Sequence, residues 1–355
     1  MKRISAFRIA ATYAGCVLGA GFVSGQELWQ FFGAHGAWGL AGATLALVLF
    51  FAVGVFLLGF ARDSGISAVD LLIVGKDAPI LRAAVLLFEG LFLLVIYILM
   101  AAAAGALFAD LFGISAVWGS ALLCVLVTLL SLSGVEGLVR VFARLVPLLV
   151  VATFTVSLLV LLTGGAPDPT PEPPVHIGGS FWWLDAAVYV NFNIVCSIPI
   201  LAPLAQKGAD SKTVRRGVLL ACLALGAIAV PILCALSTNH ALTASALPML
   251  ELALATNRTV GLVYAALLFG GIFGTALSTE SALNAYLLDR VPAARRAALP
   301  ITAAVSLLAF LAGQLGFRDL VSVLYPVFGY LGVIPLLLLL AHARRFYRQK
   351  GRGIQ

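Results

Sequence analysis

Three glutamates, Glu27, Glu89 and Glu280, stand in stretches that are otherwise almost wholly apolar. An ionisable side chain at the centre of a bilayer costs about 2.5–3.5 kcal/mol or more, so each needs a chemical reason for its place. Glu27 closes the run Gly19-Ala20-Gly21-Phe22-Val23-Ser24-Gly25-Gln26-Glu27, whose glycines interrupt the first apolar segment. Ser24 and Glu27 have the spacing of a capping box, so one expectation is that Glu27 folds back onto the Ser24 amide and restarts a helix. The other is that it lines a cavity and meets a cation, a proton or a substrate amine. Glu280 lies in Thr275-Ala276-Leu277-Ser278-Thr279-Glu280-Ser281. Asn284 follows one turn later on the same helical face, and Thr275, Ser278 and Thr279 share a neighbouring face. Those hydroxyls either bond back to carbonyls of their own helix or offer oxygens to a small hard cation. Glu89 falls near the start of its segment, where it either approaches the headgroups or takes part in coupling. Tyr97, two turns further on, is core packing unless it faces the interruptions.

A second interruption is expected at Asn191-Phe192-Asn193-Ile194-Val195-Cys196-Ser197-Ile198-Pro199. Unwound backbone at membrane depth is tolerated only where protein encloses it. Its free amides can hold a carboxylate, and its free carbonyls an ammonium or sodium ion. The predicted substrate contacts are therefore Gly19, Gly21, Phe22, Ser24, Gly25 and Gln26 at the first break. Asn191, Phe192, Asn193 and Ser197 supply the second, with Tyr97 beside them. The rings of Trp182, Trp183 and Tyr189 serve packing or an interfacial belt equally well.

The elements that must position these residues follow from composition. Hydrophobic residues make up 62% of the 355-residue chain and charged residues 10%, with a mean hydropathy of +1.09. An average globular protein is about 45–50% apolar and about 25% charged. A soluble fold, a disordered chain and a coiled coil are all excluded, leaving a polytopic membrane protein. A spanning helix needs about 20 apolar residues, and ten stretches qualify: 6–33, 37–61, 79–108, 115–133, 138–163, 182–205, 212–237, 259–288, 297–315 and 319–343. The region 238–258 is too polar to span and reads as an external hairpin or helix. Met1-Lys2-Arg3 and the Tyr13-Ala14-Gly15-Cys16 that follows resemble a lipoprotein signal, but the apolar region is short and reads as the first helix.

The charges supply the orientation. With the N-terminus in the cytoplasm, twenty of the 22 Lys and Arg residues fall on the inner side. Only Arg258 and Arg318 fall outside, as the positive-inside rule expects. The net charge of +7 thus reflects topology rather than nucleic-acid binding. Pro167–Pro174, in an external linker over 166–180, divides the chain into five-helix halves over 1–165 and 181–345, with a basic cytoplasmic tail over 346–355. Five is odd, so the halves have opposite orientations. The two interruptions each fall in the first helix of a half. Glu136-Gly137-Leu138-Val139-Arg140-Val141 is echoed by Arg318-Asp319-Leu320-Val321-Ser322-Val323. Together these features point to inverted repeats around a transport site.

Catalysis has little support. There is no HExxH, GxSxG or Walker A pattern, and His35, His176, His240 and His342 fall near segment ends. The five cysteines are scattered singly and read as small buried hydrophobes. No pore motif recurs as a channel would require. The expectation is a non-enzymatic transporter in the lipid bilayer, without cofactor or obligate protein partner; a membrane sensor is the rival outside that class.

The glycine run of helix 1, with Phe31-Phe32 just after it, resembles the signature of YkvI-like bacterial membrane proteins. That group is assigned to amino-acid permeases of the amino acid/polyamine/organocation superfamily. The resemblance implies an all-α LeuT-type fold of two inverted five-helix repeats, with helices 1 and 6 broken and holding substrate. It further implies sodium bound by carbonyls of Ala20 and Val23 and by Thr275, Ser278 and Thr279. Some relatives of that fold couple to protons through a Lys in helix 5, which is missing from the middle of this one, so sodium is favoured. Glu27 and Glu280 keep proton coupling open. The expected activity is uptake of an amino acid or small amine across a bacterial inner membrane, with both termini cytoplasmic.

Overall fold

The computed structural model describes residues 4–131, 136–163, 181–208, 210–239, 245–290 and 298–351, with backbone only for 136–146, Thr163 and 285–290. The predicted linker over 166–180 and residues 352–355 of the tail lie outside them. All regular structure among the described residues is helical. The first predicted span is three pieces, α1 (Ala6–Val17), α2 (Ala20–Ser24) and α3 (Gln26–Phe31), and a 3₁₀ turn follows. Beyond it run α4 (Trp38–Ser64), α5 (Val69–Val74), α6 (Pro79–Phe112), α7 (Ala116–Ser131) and α8 (Glu136–Thr163). The second half holds α9 (Trp182–Ala205), α10 (Ser211–Ser237), α11 (Pro248–Thr256), α12 (Arg258–Arg290), α13 (Ala298–Gly313), α14 (Phe317–Leu331) and α15 (Val333–Gly351).

Local chemistry sets these boundaries. Asp210 caps α10 by accepting the Thr213 N–H at 2.8 Å, and prolines open α6 and α11, where an amide donor would be unused. Gly65 and Gly113 end α4 and α6 in the left-handed conformation. Among the described residues six helical stretches, α14 and α15 together making one, are long and apolar enough to cross a membrane, and α7, the end of α8 and α13 are shorter apolar helices. On α7 the side chains of Trp118, Leu122, Val125 and Leu129 form an exposed stripe at helical spacing, the pattern of a surface meeting lipid. The chain is a multi-pass membrane protein.

The core places helix 1 at the centre. Its first piece packs on α10, α8 and α9, while α6 forms a long post against α12, α7 and α13. One expectation is corrected here. Helix 6 is not broken, since α9 is continuous through Asn191–Pro199. Pro199 removes one donor, but its polar neighbours bond back along the helix: Asn193 Nδ2 to Tyr189 O at 3.0 Å and Ser197 Oγ to Asn193 O at 2.6 Å. Keeping the turn intact avoids stranding further backbone groups in an apolar surround. The tenth predicted span is present as one apolar run, Phe317–Gly351, in which Gly332 keeps helical dihedrals between α14 and α15.

Candidate functional site

The site is built from the break in helix 1. Ser5 caps α1 by accepting the Arg8 N–H, and the helix runs until Leu18 and Gly19 leave helical geometry. There the Gly19 N–H turns to Val17 O at 2.8 Å. The carbonyl of Gly15 thereby loses the amide that a continuous helix would give it, and no bond is made to the carbonyl of Leu18. At Gly25 the chain turns a second time with φ 84°, and a Cβ there would press on Leu236 at 2.8 Å. Glycine is required at that position for both reasons.

Glu27 is not the predicted cap. Ser24 satisfies itself locally, donating to Gly21 O at 3.3 Å and accepting the Gln26 N–H at 3.4 Å. The Glu27 carboxyl folds back over Gly21, where any Cβ would collide with it. Its Oε2 accepts from Tyr189 OH at 2.9 Å and its Oε1 from Tyr325 OH, with the Phe22 backbone as a third partner. Two phenols from α9 and α14 replace the expected single amide. Phe192 stacks on Tyr325 with ring centroids 3.9 Å apart.

Beside the break lies a cavity of about 30 Å³ walled by Gly15, Cys16, Val17, Gly19, Leu93, Ile96, Met100, Phe192, Asn193, Cys196, Ile200, Thr275, Ser278, Thr279 and Tyr325. That volume suits one water or one small ion, far less than an amino acid. Of the predicted contacts it gathers Gly19, Phe192, Asn193, Thr275, Ser278 and Thr279. Ser278 Oγ and Thr279 Oγ1 both donate to Thr275 O, at 2.9 and 2.8 Å, while Thr275 Oγ1 is buried without a hydrogen-bond partner. Their oxygen lone pairs remain, so three hydroxyl oxygens near the free Gly15 carbonyl are chemically suited to sodium.

Other predicted contacts are elsewhere. Val23 O is taken by Tyr264 OH at 2.6 Å. Tyr264 and Ser278 are fourteen residues apart on α12, about 21 Å at 1.5 Å per residue, so Val23 is not beside the hydroxyls. Ala20, Gly21, Phe22, Ser24 and Gln26 are buried but do not line the cavity, and both Gln26 amide atoms lack hydrogen-bond partners. Tyr97 turns away to Ser306 Oγ at 2.8 Å. Asn191 donates to Gly329 O, and Ser197 stays bonded within α9. Asn284 does not serve Glu280: it donates to Ser131 Oγ at 3.2 Å and accepts from Thr302 at 2.9 Å. Glu280 and Glu89 are buried with no hydrogen-bond partner on either oxygen. The other buried acids are paired, Asp70 with Arg82 at 2.7 Å and Asp185 with His35 at 2.6 Å. Among the described residues no Lys, Arg or His is buried.

A broken helix 1, a small cavity at its break and lipid-facing walls define an all-helical multi-pass membrane protein. The fold is similar to that of the Eremococcus coleocola manganese transporter in complex with an aromatic bis-isothiourea substituted compound, with a TM-score of 0.62 and 15% identity over 95% of this chain and 78% of that one. It is also similar to a Na+-coupled sialic acid symporter in a substrate-bound outward-open state, with a TM-score of 0.59 and 15% identity over 93% and 77% of the two chains. By sequence the chain is similar to the uncharacterized membrane protein YkvI of Bacillus subtilis (strain 168), 26% identical over 332 residues and 93% of each protein. It is 23% identical to the uncharacterized protein YyaD of the same organism, over 92% of this chain and 94% of that protein. No family model matches.

Proposed function

We propose that this protein is a secondary active transporter of the bacterial inner membrane, taking up an amino acid or small amine by alternating access with sodium as the coupling ion. The arrangement is ten crossings in two inverted five-helix repeats, both termini cytoplasmic. The observation that carries the reading is the break at Leu18–Gly19, which shares a small cavity with Thr275, Ser278 and Thr279. Sodium binds their hydroxyl oxygens. Substrate binds beside them once the cavity opens, against Phe192, Asn193 and Tyr325, since the closed volume cannot hold an organic solute. Opening requires α1 and α9 to part from α6 and α12.

A second reading, proton-coupled carriage of an organic cation, is favoured by one specific observation. Glu27, Glu89 and Glu280 are buried acids, and among the described residues no base is buried to balance them. A carboxyl so placed must be neutral or meet a cation.

A thermal-shift screen of the purified protein tests both readings across amino acids and amines, in sodium and in choline. A ligand of the folded state must raise its apparent stability. Sodium-dependent stabilisation by an amino acid supports the first reading. Sodium-independent stabilisation by amines alone supports the second.

A further inference from the structure

We infer that Glu89 forms a site for a positively charged group beside the central cavity, between α6 and α9; the inference deepens the transport reading and rests on it. The post α6 presents Leu93, Ile96 and Met100 to the cavity. Glu89 precedes Leu93 by one turn on that face, continuing the i, i+4, i+7, i+11 line toward the start of the helix. From α9, Cys196 lines the cavity one turn after Phe192, whose ring lies 4.9 Å from that of Phe92, and the field of Glu89 reaches its thiol.

The chemistry of that site selects its ligand. Glu89 is 4% exposed and neither oxygen has a donor, in contrast to Glu27 with its two phenols. Thr275 Oγ1 lines the adjoining cavity and also lacks a partner. Phe92 lies 5.2 Å from Phe328 and 4.9 Å from Phe192, and Phe88 lies 6.0 Å from Phe328, centroid to centroid. Acceptors without donors, among aromatic rings, suit an ammonium group or a metal cation and repel a carboxylate.

The native thiol of Cys196 reports on this site without knowledge of the substrate. Intact protein in lipid is labelled with the cationic 2-(trimethylammonio)ethyl or the anionic 2-sulfonatoethyl methanethiosulfonate, and the Cys196 peptide is followed by mass spectrometry. After correction for reactivity with a free thiol, the cationic reagent should react faster by about fivefold or more, as expected for one nearby charge in a partly desolvated site. Glu89→Asp should keep that preference and Glu89→Gln should lose it. In the unaltered protein, tetramethylammonium chloride should slow the cationic reagent, while sodium isethionate at equal ionic strength should not, which avoids dependence on any variant's folding. Equal rates for the two reagents, a preference unchanged in Glu89→Gln, or a Cys196 inert to both would overturn the assignment. Failure of solute uptake with a Glu89-dependent preference intact would refute transport and leave the cation site standing.

Discussion

Filling the central cavity with one methyl group separates its role from that of the surrounding fold. Gly19 has φ −78°, which alanine adopts readily, and its nearest neighbour for a new Cβ is Met100 Cε at 3.8 Å, an ordinary contact. Gly19→Ala therefore fits without strain and occupies much of a 30 Å³ space. At about 24 cal/mol per Å³ of cavity, filling it contributes up to about 0.7 kcal/mol. Restricting the unfolded chain adds about 0.4–1 kcal/mol. In choline buffer the variant should thus be more stable than the parent by about 1–1.7 kcal/mol, taking both terms at full value. In sodium the order should reverse. An ion at a hundred times its Kd stabilises the parent by about 2.7 kcal/mol, and the variant has no room for it. The assay is thermal unfolding of both proteins in matched sodium and choline series. A Gly19→Ala protein that keeps the full sodium-dependent shift would refute the placement of the ion in this cavity.

Ser278→Ala combined with Thr279→Ala should abolish the sodium-dependent shift while leaving the unfolding temperature in choline nearly unchanged, because each lost hydroxyl donates only to Thr275 O. Tyr325→Phe keeps the ring on Phe192 but removes a donor to Glu27. It should cost about 1.5–3 kcal/mol if that carboxyl is charged and about 0.5–1.5 if neutral, read from denaturant or thermal unfolding; no measurable loss would contradict the contact. Glu27→Gln should be tolerated in folding yet weaken binding of any amine ligand found in the screen. Glu280→Gln should reduce proton-driven uptake more than Glu27→Gln does, and an unaltered pH profile of uptake would make Glu280 a structural residue.

The sequence carried the membrane class and the existence of a break in helix 1, because apolar length and clustered glycines are local properties. The break was displaced by a few residues: helical geometry fails at Leu18–Gly19, ahead of most of the glycine run. At α9 the polar residues and Pro199 looked like an interruption, but side chains bonding along their own helix absorb the defect. Spacing alone cannot distinguish a kink from a break. Glu27 fitted a capping box, yet its partners are 162 and 298 residues away, and two hydroxyl donors outcompete one amide. Tyr325, which joins Glu27 to the cavity wall, bears no local signal at all. Periodicity placed the hydroxyls of α12 on one face, whereas which helix 1 residues share their cavity, Gly15 and Gly19 rather than Val23, depends on how α1 sits against α12.

Solute accumulation in proteoliposomes tests the central claim most directly. Radiolabelled amino acids and amines that stabilise the purified protein are offered under an inward sodium gradient, an inward proton gradient or none. The account predicts accumulation above equilibrium in the sodium gradient, collapse on addition of a sodium ionophore, and loss of that accumulation in Gly19→Ala. Ligand binding without accumulation under either gradient would contradict it and make the protein a sensor rather than a carrier.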